Sequence, residues 1–118
     1  MAFSLIPRER YRGIYEIDPI GLRRRGITLL LLDLDNTIAP YHARMPEPRL
    51  SDWVCTLRDA GIEPFILSNS RKPTRVQEFA GALGVPYRRR AGKPRQAGFQ
   101  AAMQQMDRTP AETAMVGD

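Results

Sequence analysis

The stretch LLLLDLDNT at residues 29–37 decides the fold of this chain. Four consecutive leucines predict a strand that is buried on both faces. Asp33 and Asp35 follow at the end of that strand and begin on one face, because side chains two residues apart in a strand point the same way. Two acids beside a buried strand are costly unless a cation lies between them, and a hard divalent ion such as Mg²⁺ resolves that cost. The alternative is that residues 35–37 only form a turn or cap a helix.

Apolar patterns typical of helices and strands alternate along the chain. The predicted elements are a helix at 19–25, a strand at 27–32, a helix at 48–60, a strand at 62–67, a helix at 74–83, a strand at 85–87, a helix at 95–106 and a strand at 113–116. Pro64 is a mild objection to the second strand, because proline cannot donate to a sheet. This order predicts one three-layer, Rossmann-like α/β domain over 1–118, with a mainly parallel sheet and an N-terminal leader at 1–26.

The net charge of +5 is the unusual bulk property, and the basic residues are clustered at 8–12, 23–25, 71–72 and 88–95. Such clusters favour polyanions, meaning nucleic acid, anionic lipid headgroups or phosphorylated substrates. The alternative is a solvated basic surface, and the few aromatics nearby give little support to nucleic-acid binding.

Hydropathy and the single cysteine set further expectations. No apolar run is long enough to cross a membrane, and the N-terminus lacks the apolar core of a signal peptide. We therefore expect a cytoplasmic protein, with a peripheral position at the inner membrane face as a further expectation. Cys55 falls within the apolar pattern of the helix at 48–60 and is predicted to be a small core residue.

Polar residues follow the carboxyl ends of four predicted strands. Because these ends meet at one edge of a parallel sheet, ligands bind there and we expect the polar residues to converge. The candidates are Asp33 and Asp35 after the first strand, Ser68 and Asn69 after the second, Lys93 after the third and Asp118 after the last. Taken singly, residues 68–70 could be only a helix cap, Lys93 a loop lysine and Asp118 an idle terminal residue.

The candidate set contains the groups that phosphoryl transfer requires. Asp33 can attack phosphorus, and Asp35 can protonate the leaving oxygen and then deprotonate water. Ser68 and the backbone of Asn69 can hold a phosphoryl oxygen. Lys93 can offset the negative charge, and Asp118 can complete a Mg²⁺ shell.

These motifs resemble those of the haloacid dehalogenase (HAD) superfamily of phosphatases. Residues 33–37, DLDNT, resemble its DxDxT first motif, and Ser68, Lys93 and residues 116–118 resemble the other three. The leader at 14–27 and the Gly-Lys-Pro turn at 92–94 resemble the YqeG family of subclass IIIA.

The resemblance implies a role for each candidate residue. Asp33 would be the nucleophile and a metal ligand, and Asp35 the general acid/base and a Mg²⁺ ligand through its backbone carbonyl. Lys93 would stabilise charge and Asp118 would bind Mg²⁺. The substrate-binding residues would be Thr37, Ser68 and Asn69.

The chain departs from the family pattern after residue 118, where a further acid, a last strand and final helices are expected. We therefore expect a C-terminally truncated member with an open sheet edge beside residues 113–116. Such a form would be less stable than a longer one or would pair with another chain through that edge.

The links at 38–47 and 71–92 are too short to hold an ordinary cap domain, so we expect a capless, open site. An open site with arginine clusters favours a phosphate presented by a large anionic body. The resemblance then implies a Mg²⁺-dependent phosphomonoesterase with an aspartyl-phosphate intermediate, acting on a phosphorylated lipid headgroup such as phosphatidylglycerophosphate. The alternative is a HAD-like RNA- or ribosome-associated binding protein with little turnover.

Overall fold

A computed structural model describes residues 9–11, 15, 17–34, 45–68, 73–89 and 95–116. The elements in chain order are β1 (Glu9–Tyr11), α1 (Pro19–Arg24), β2 (Leu29–Asp33), α2 (Pro48–Asp59), β3 (Glu63–Ser68), α3 (Pro73–Leu83), β4 (Tyr87–Arg89), α4 (Arg95–Gln105), a 3₁₀ turn (Pro110–Glu112) and β5 (Thr113–Val116). Within the described ranges, no helix has the length and apolar character that crossing a bilayer requires.

The strands form one sheet in the order β1-β5-β2-β3-β4, and every neighbouring pair is parallel. The predicted parallel α/β architecture is therefore confirmed. The central strand is β2, in which the leucine run alternates between two cores. Leu30 and Leu32 belong to a larger cluster with side chains of α2 and α3, and Leu29 and Leu31 to a smaller one with side chains of α4.

The predicted open edge beside residues 113–116 is wrong. Glu9 pairs with Ala114 and Tyr11 with Val116, so β1 covers the side of β5 that faces away from β2. The leader continues from β1 towards α1 through residues 14–17. In that region Ile17 is buried and Tyr15 packs partly against the larger core, which makes this part of the leader a packing segment.

Helix ends follow the expected capping chemistry. The Asp18 side chain accepts a hydrogen bond from the Ile20 N–H at 3.2 Å and begins α1. Gly61, just after α2, has φ +86°, a left-handed conformation that glycine adopts without steric cost. The apolar stripe of α2 is buried as predicted, but Cys55 is exposed. The prediction of a core cysteine is wrong because residue 55 lies outside that i, i+3, i+4, i+7 stripe.

Two details of the strands have local causes. Pro64 lies inside β3 without costing the sheet a hydrogen bond, because its nitrogen faces the β4 side and β4 pairs only from Ile66 onwards. The strand predicted at 85–87 instead begins at Tyr87. The Val85 N–H donates to the Ala80 carbonyl at 3.0 Å, so Val85 belongs to the end of α3.

Candidate active site

Asp33 is the last residue of the central strand and is half-buried. It pairs with Leu67 of β3, and the next residue, Leu34, donates its N–H to the Leu67 carbonyl at 3.0 Å. Backbone pairing therefore continues past Asp33. This pairing fixes the backbone from which the carboxylate projects, as a reacting group requires.

Ser68 ends the neighbouring strand β3 and is fully buried. Because Asp33 pairs with Leu67, Ser68 lies one residue further along the adjacent strand. The alternation of a strand places Asp33 on the face covered by α4 and Ser68 on the face covered by α2 and α3. The two side chains thus lie on opposite faces of the sheet at its carboxyl end.

The other predicted site residues lie outside the described residues: Asp35, Thr37, Asn69, Lys93 and Asp118. The described strands fix where their segments start. Val116 pairs with Leu32, and Asp118 is two residues further on. Arg89 pairs with Ser68, and Lys93 is four residues further on. The strands that precede these residues are parallel, so their described carboxyl ends lie at one edge of the sheet, and the convergence of the residues themselves stays a prediction.

The structure describes one of the three predicted metal ligands, Asp33. No group of three His, Cys, Asp or Glu side chains placed to hold a metal ion occurs in the described ranges. The donor chemistry fits a hard divalent cation, because such ions bind carboxylate oxygens and Asp33 provides a carboxylate at the end of the central strand. Asp35 and Asp118 would supply the further oxygen ligands.

A cluster at the start of α2 was missed by the sequence analysis. The Tyr15 hydroxyl donates to Glu47 Oε1 at 2.9 Å, and the Arg49 guanidinium lies over the Tyr15 ring, 3.7 Å from its centroid. Trp53 packs edge-on against Tyr15 at 6.3 Å between centroids. Burial, followed by the contact with Glu47, raises the pKa of Tyr15 to about 12. No local pattern pairs residue 15 with residue 47, so the sequence carries no signal for this cluster.

The first turns of α2, α3 and α4 contain no acidic residue. They contain Arg49, Arg75 and Arg95 instead. These helices follow β2, β3 and β4 and return antiparallel to them, so their first turns lie at the carboxyl edge of the sheet, as Asp33 does. Arginines therefore lie at this edge together with the carboxylates of Asp33 and Glu47.

A parallel three-layer α/β fold with a carboxylate at the end of its central strand defines a class of proteins that bind ligands at the carboxyl edge of the sheet. Within that class the family is shown by the sequence. The chain belongs to the haloacid dehalogenase-like hydrolases, because the model of that family matches residues 7–118.

Individual relatives agree with this assignment. The chain is 31% identical over 113 residues to the Bacillus subtilis (strain 168) protein named "Probable phosphatase YqeG". The aligned region covers 96% of this chain and 65% of the relative. The chain thus spans a little under two thirds of that relative's length.

Solved structures share the fold. A deoxy-D-mannose-octulosonate 8-phosphate phosphatase of Haemophilus influenzae, in a cobalt-bound form, superposes with a TM-score of 0.66 at 20% identity, over 86% of this chain and 61% of that one. A structure described as a HAD superfamily (subfamily III A) hydrolase of Legionella pneumophila gives 0.60 at 20% identity, over 82% and 58%.

Proposed function

We propose that this chain is a phosphomonoesterase in which Asp33 is the nucleophile. One observation carries the proposal. The family's candidate nucleophile is the half-buried last residue of the central strand, one pairing step from a fully buried serine at the end of the next strand. Membership of the haloacid dehalogenase-like hydrolases and the likeness to a protein named a phosphatase support the reaction class.

The proposed reaction has two steps, each of which uses the residues at the carboxyl edge. An Asp33 oxygen attacks phosphorus, the ester oxygen leaves with a proton from Asp35, and an aspartyl-phosphate forms. Asp35 then removes a proton from water, which attacks phosphorus, releases phosphate and regenerates the Asp33 carboxylate. Ser68 and the Asn69 backbone donate to a phosphoryl oxygen throughout. Lys93 neutralises the charge shared by phosphate and carboxylate.

The proposed cofactor is Mg²⁺, held by Asp33, Asp35 and Asp118. When bound, it would neutralise negative charge on the phosphoryl group. Removal of divalent ions by a chelator should therefore stop phosphate release, and added Mg²⁺ should restore it.

The proposed substrate is a phosphorylated lipid headgroup such as phosphatidylglycerophosphate. The excess of basic residues supports binding at an anionic membrane surface, where each basic residue near the surface contributes about 1 kcal/mol. The alternative, an RNA- or ribosome-associated protein with little turnover, draws on the same excess of positive charge and is separated from the enzyme by the variant below.

Asp33→Asn should lower the rate of phosphate release by a factor of at least about a thousand, because an amide does not attack phosphorus. The assay compares vesicles containing phosphatidylglycerophosphate with a soluble aryl phosphate. Asp59→Asn is the matched control, since it makes the same change at an exposed position at the far end of α2.

Full activity in Asp33→Asn would overturn the mechanism. Hydrolysis of the aryl phosphate without hydrolysis of the lipid would overturn the lipid substrate alone. Salt-dependent RNA binding by wild type and Asp33→Asn, without phosphate release by either, would favour the binding protein.

A further inference from the structure

The basic residues at the two edges of the sheet have different surroundings. At the amino edge, arginines contact the carboxyl ends of helices. Arg58 Nη2 donates to the Gly84 carbonyl at 2.6 Å, just after α3, and Arg108 Nη1 donates to the Met106 carbonyl at 2.7 Å, just after α4. Cations there satisfy free carbonyls and complement the helix dipole. Fold stability therefore accounts for those arginines.

The helix dipole does not favour the arginines at the carboxyl edge. The first turn of a helix favours acidic side chains by about 0.3–1 kcal/mol each and disfavours basic ones. All three helices that start at this edge nevertheless lack an acid in the first turn and carry an arginine there. Positive charge at this edge opposes the helix dipoles, and the surroundings of Arg49 show what holds it in place.

The Arg49 side chain is positioned by Tyr15, which is itself held by Glu47 and Trp53. Its guanidinium Cζ lies over the Tyr15 ring, the Tyr15 hydroxyl donates to Glu47, and the Trp53 ring packs at nearly a right angle to the Tyr15 ring. A stacked guanidinium loses little freedom when its N–H edge binds an anion, because the ring already restricts it. Among the described residues Arg49 forms no ion pair with a carboxylate, and the residue is exposed. No carboxylate of the described residues therefore competes with a ligand for its N–H groups.

We propose that Arg49 is a specificity-determining residue that binds a second anionic group of the substrate, outside the phosphate that is cleaved. This inference rests on the proposed function and widens its substrate class from a lipid headgroup to phosphomonoesters that carry a further phosphate or phosphodiester. Arg75 in α3, at the same edge, adds to the positive field that attracts such a substrate. The second group belongs either to a lipid phosphodiester or to a soluble bisphosphate.

The test measures kcat/KM for glycerol 1-phosphate and glycerol 1,3-bisphosphate with the whole chain. Wild type should prefer the bisphosphate. In Arg49→Gln that preference should fall roughly fivefold, the loss expected for one charge-assisted contact at an exposed site. Arg49→Lys should keep part of the preference. Arg24→Gln, which removes the same charge from the end of α1 at the amino edge, should keep all of it.

Two results would overturn the role proposed for Arg49. An equal loss in Arg24→Gln would assign the effect to net charge and overturn the role of Arg49, as would an unchanged preference in Arg49→Gln. Absence of phosphate release from every substrate would overturn the proposed function, and this inference with it. Repeating the comparison on phosphatidylglycerophosphate in vesicles of neutral lipid distinguishes a lipid phosphodiester from a soluble bisphosphate as the second group.

Discussion

Glu112 forms the turn that leads into β5. Its carboxylate accepts from the Thr109 N–H at 3.0 Å and from the Thr109 hydroxyl at 3.1 Å. Its backbone carbonyl accepts from the Thr28 N–H, immediately before β2, at 2.8 Å. The contacts with Thr109 lower the pKa of Glu112 below its ordinary value of 4.5. The ionised side chain is therefore bound more favourably in the folded chain than in the unfolded one.

We expect Glu112→Gln to destabilise the fold at neutral pH. A lowered pKa contributes stability that is complete above the unfolded value and is lost as the pH falls through the folded value. The difference in unfolding free energy between wild type and variant should thus shrink as the pH drops below 4.5. Urea unfolding at neutral and acid pH measures it, with Glu78→Gln on exposed α3 surface as the charge-matched control. A difference that grows in acid would contradict this account.

At the scale of elements, Arg108 joins the end of α4 to the start of the central strand. Its Nε donates to the Thr28 hydroxyl at 2.8 Å, and its Nη1 donates to the Met106 carbonyl at 2.7 Å. Both contacts are partly buried, and the backbone of Arg108 donates to the Met103 carbonyl as well. The side chain therefore holds a helix end and a strand start in one place.

Arg108→Met should lower the free energy of unfolding by about 1–2 kcal/mol, because two partly buried charge-assisted hydrogen bonds are lost. Arg88→Met is the control, since the exposed Arg88 makes a single described hydrogen bond, to Gln105 Oε1. That variant should lose less than about 0.5 kcal/mol. Equal losses of unfolding free energy in the two variants, measured by urea unfolding, would show that the Arg108 contacts stabilise the fold no more than an exposed arginine does.

Elements whose apolar residues repeat at regular spacing could be predicted from the sequence. Elements defined by contacts between distant parts of the chain could not. The helices α2, α3 and α4 were predicted to within two residues, because their apolar positions repeat at helix spacing. β1 was missed because Glu-Arg-Tyr has no apolar alternation and pairs with residues near position 115. For the site, Asp33 and Ser68 lie at strand ends as predicted, whereas the Tyr15 and Arg49 stack depends on a contact between segments remote in sequence.

At the scale of the whole molecule, the two faces of the sheet are covered unequally. The larger core contains side chains from α1, α2 and α3. Among the described residues, the helical side chains of the smaller core all come from α4, with Phe99 as its one helical aromatic. This is also the face on which Asp33 lies. Among the described residues, its protection from solvent depends on the packing of a single helix, α4.

Phe99→Ala should therefore lower the free energy of unfolding by about 3–5 kcal/mol, the usual loss for truncating a buried aromatic. Native domains are stable by about 5–15 kcal/mol, so much of the variant would be unfolded under mild denaturing conditions. Tyr87→Ala, which truncates an aromatic that is 37% exposed on β4, should lose less than about 1 kcal/mol. Circular dichroism during urea titration measures both, and a loss below 1 kcal/mol at Phe99 would refute the dependence on α4.

The pairing of β1 with β5 has a consequence for synthesis of the chain. Glu9 meets Ala114, and β5 is inserted between β1 and β2, so β1 has no described neighbour in the sheet until position 116 has left the ribosome. Strands β2, β3 and β4 are consecutive and can associate earlier. Contacts between residues so distant in sequence form slowly, because a long loop must close first. In a nascent chain β1 would thus stay without its described partner until β5 has been made, and it would join the sheet after β2, β3 and β4.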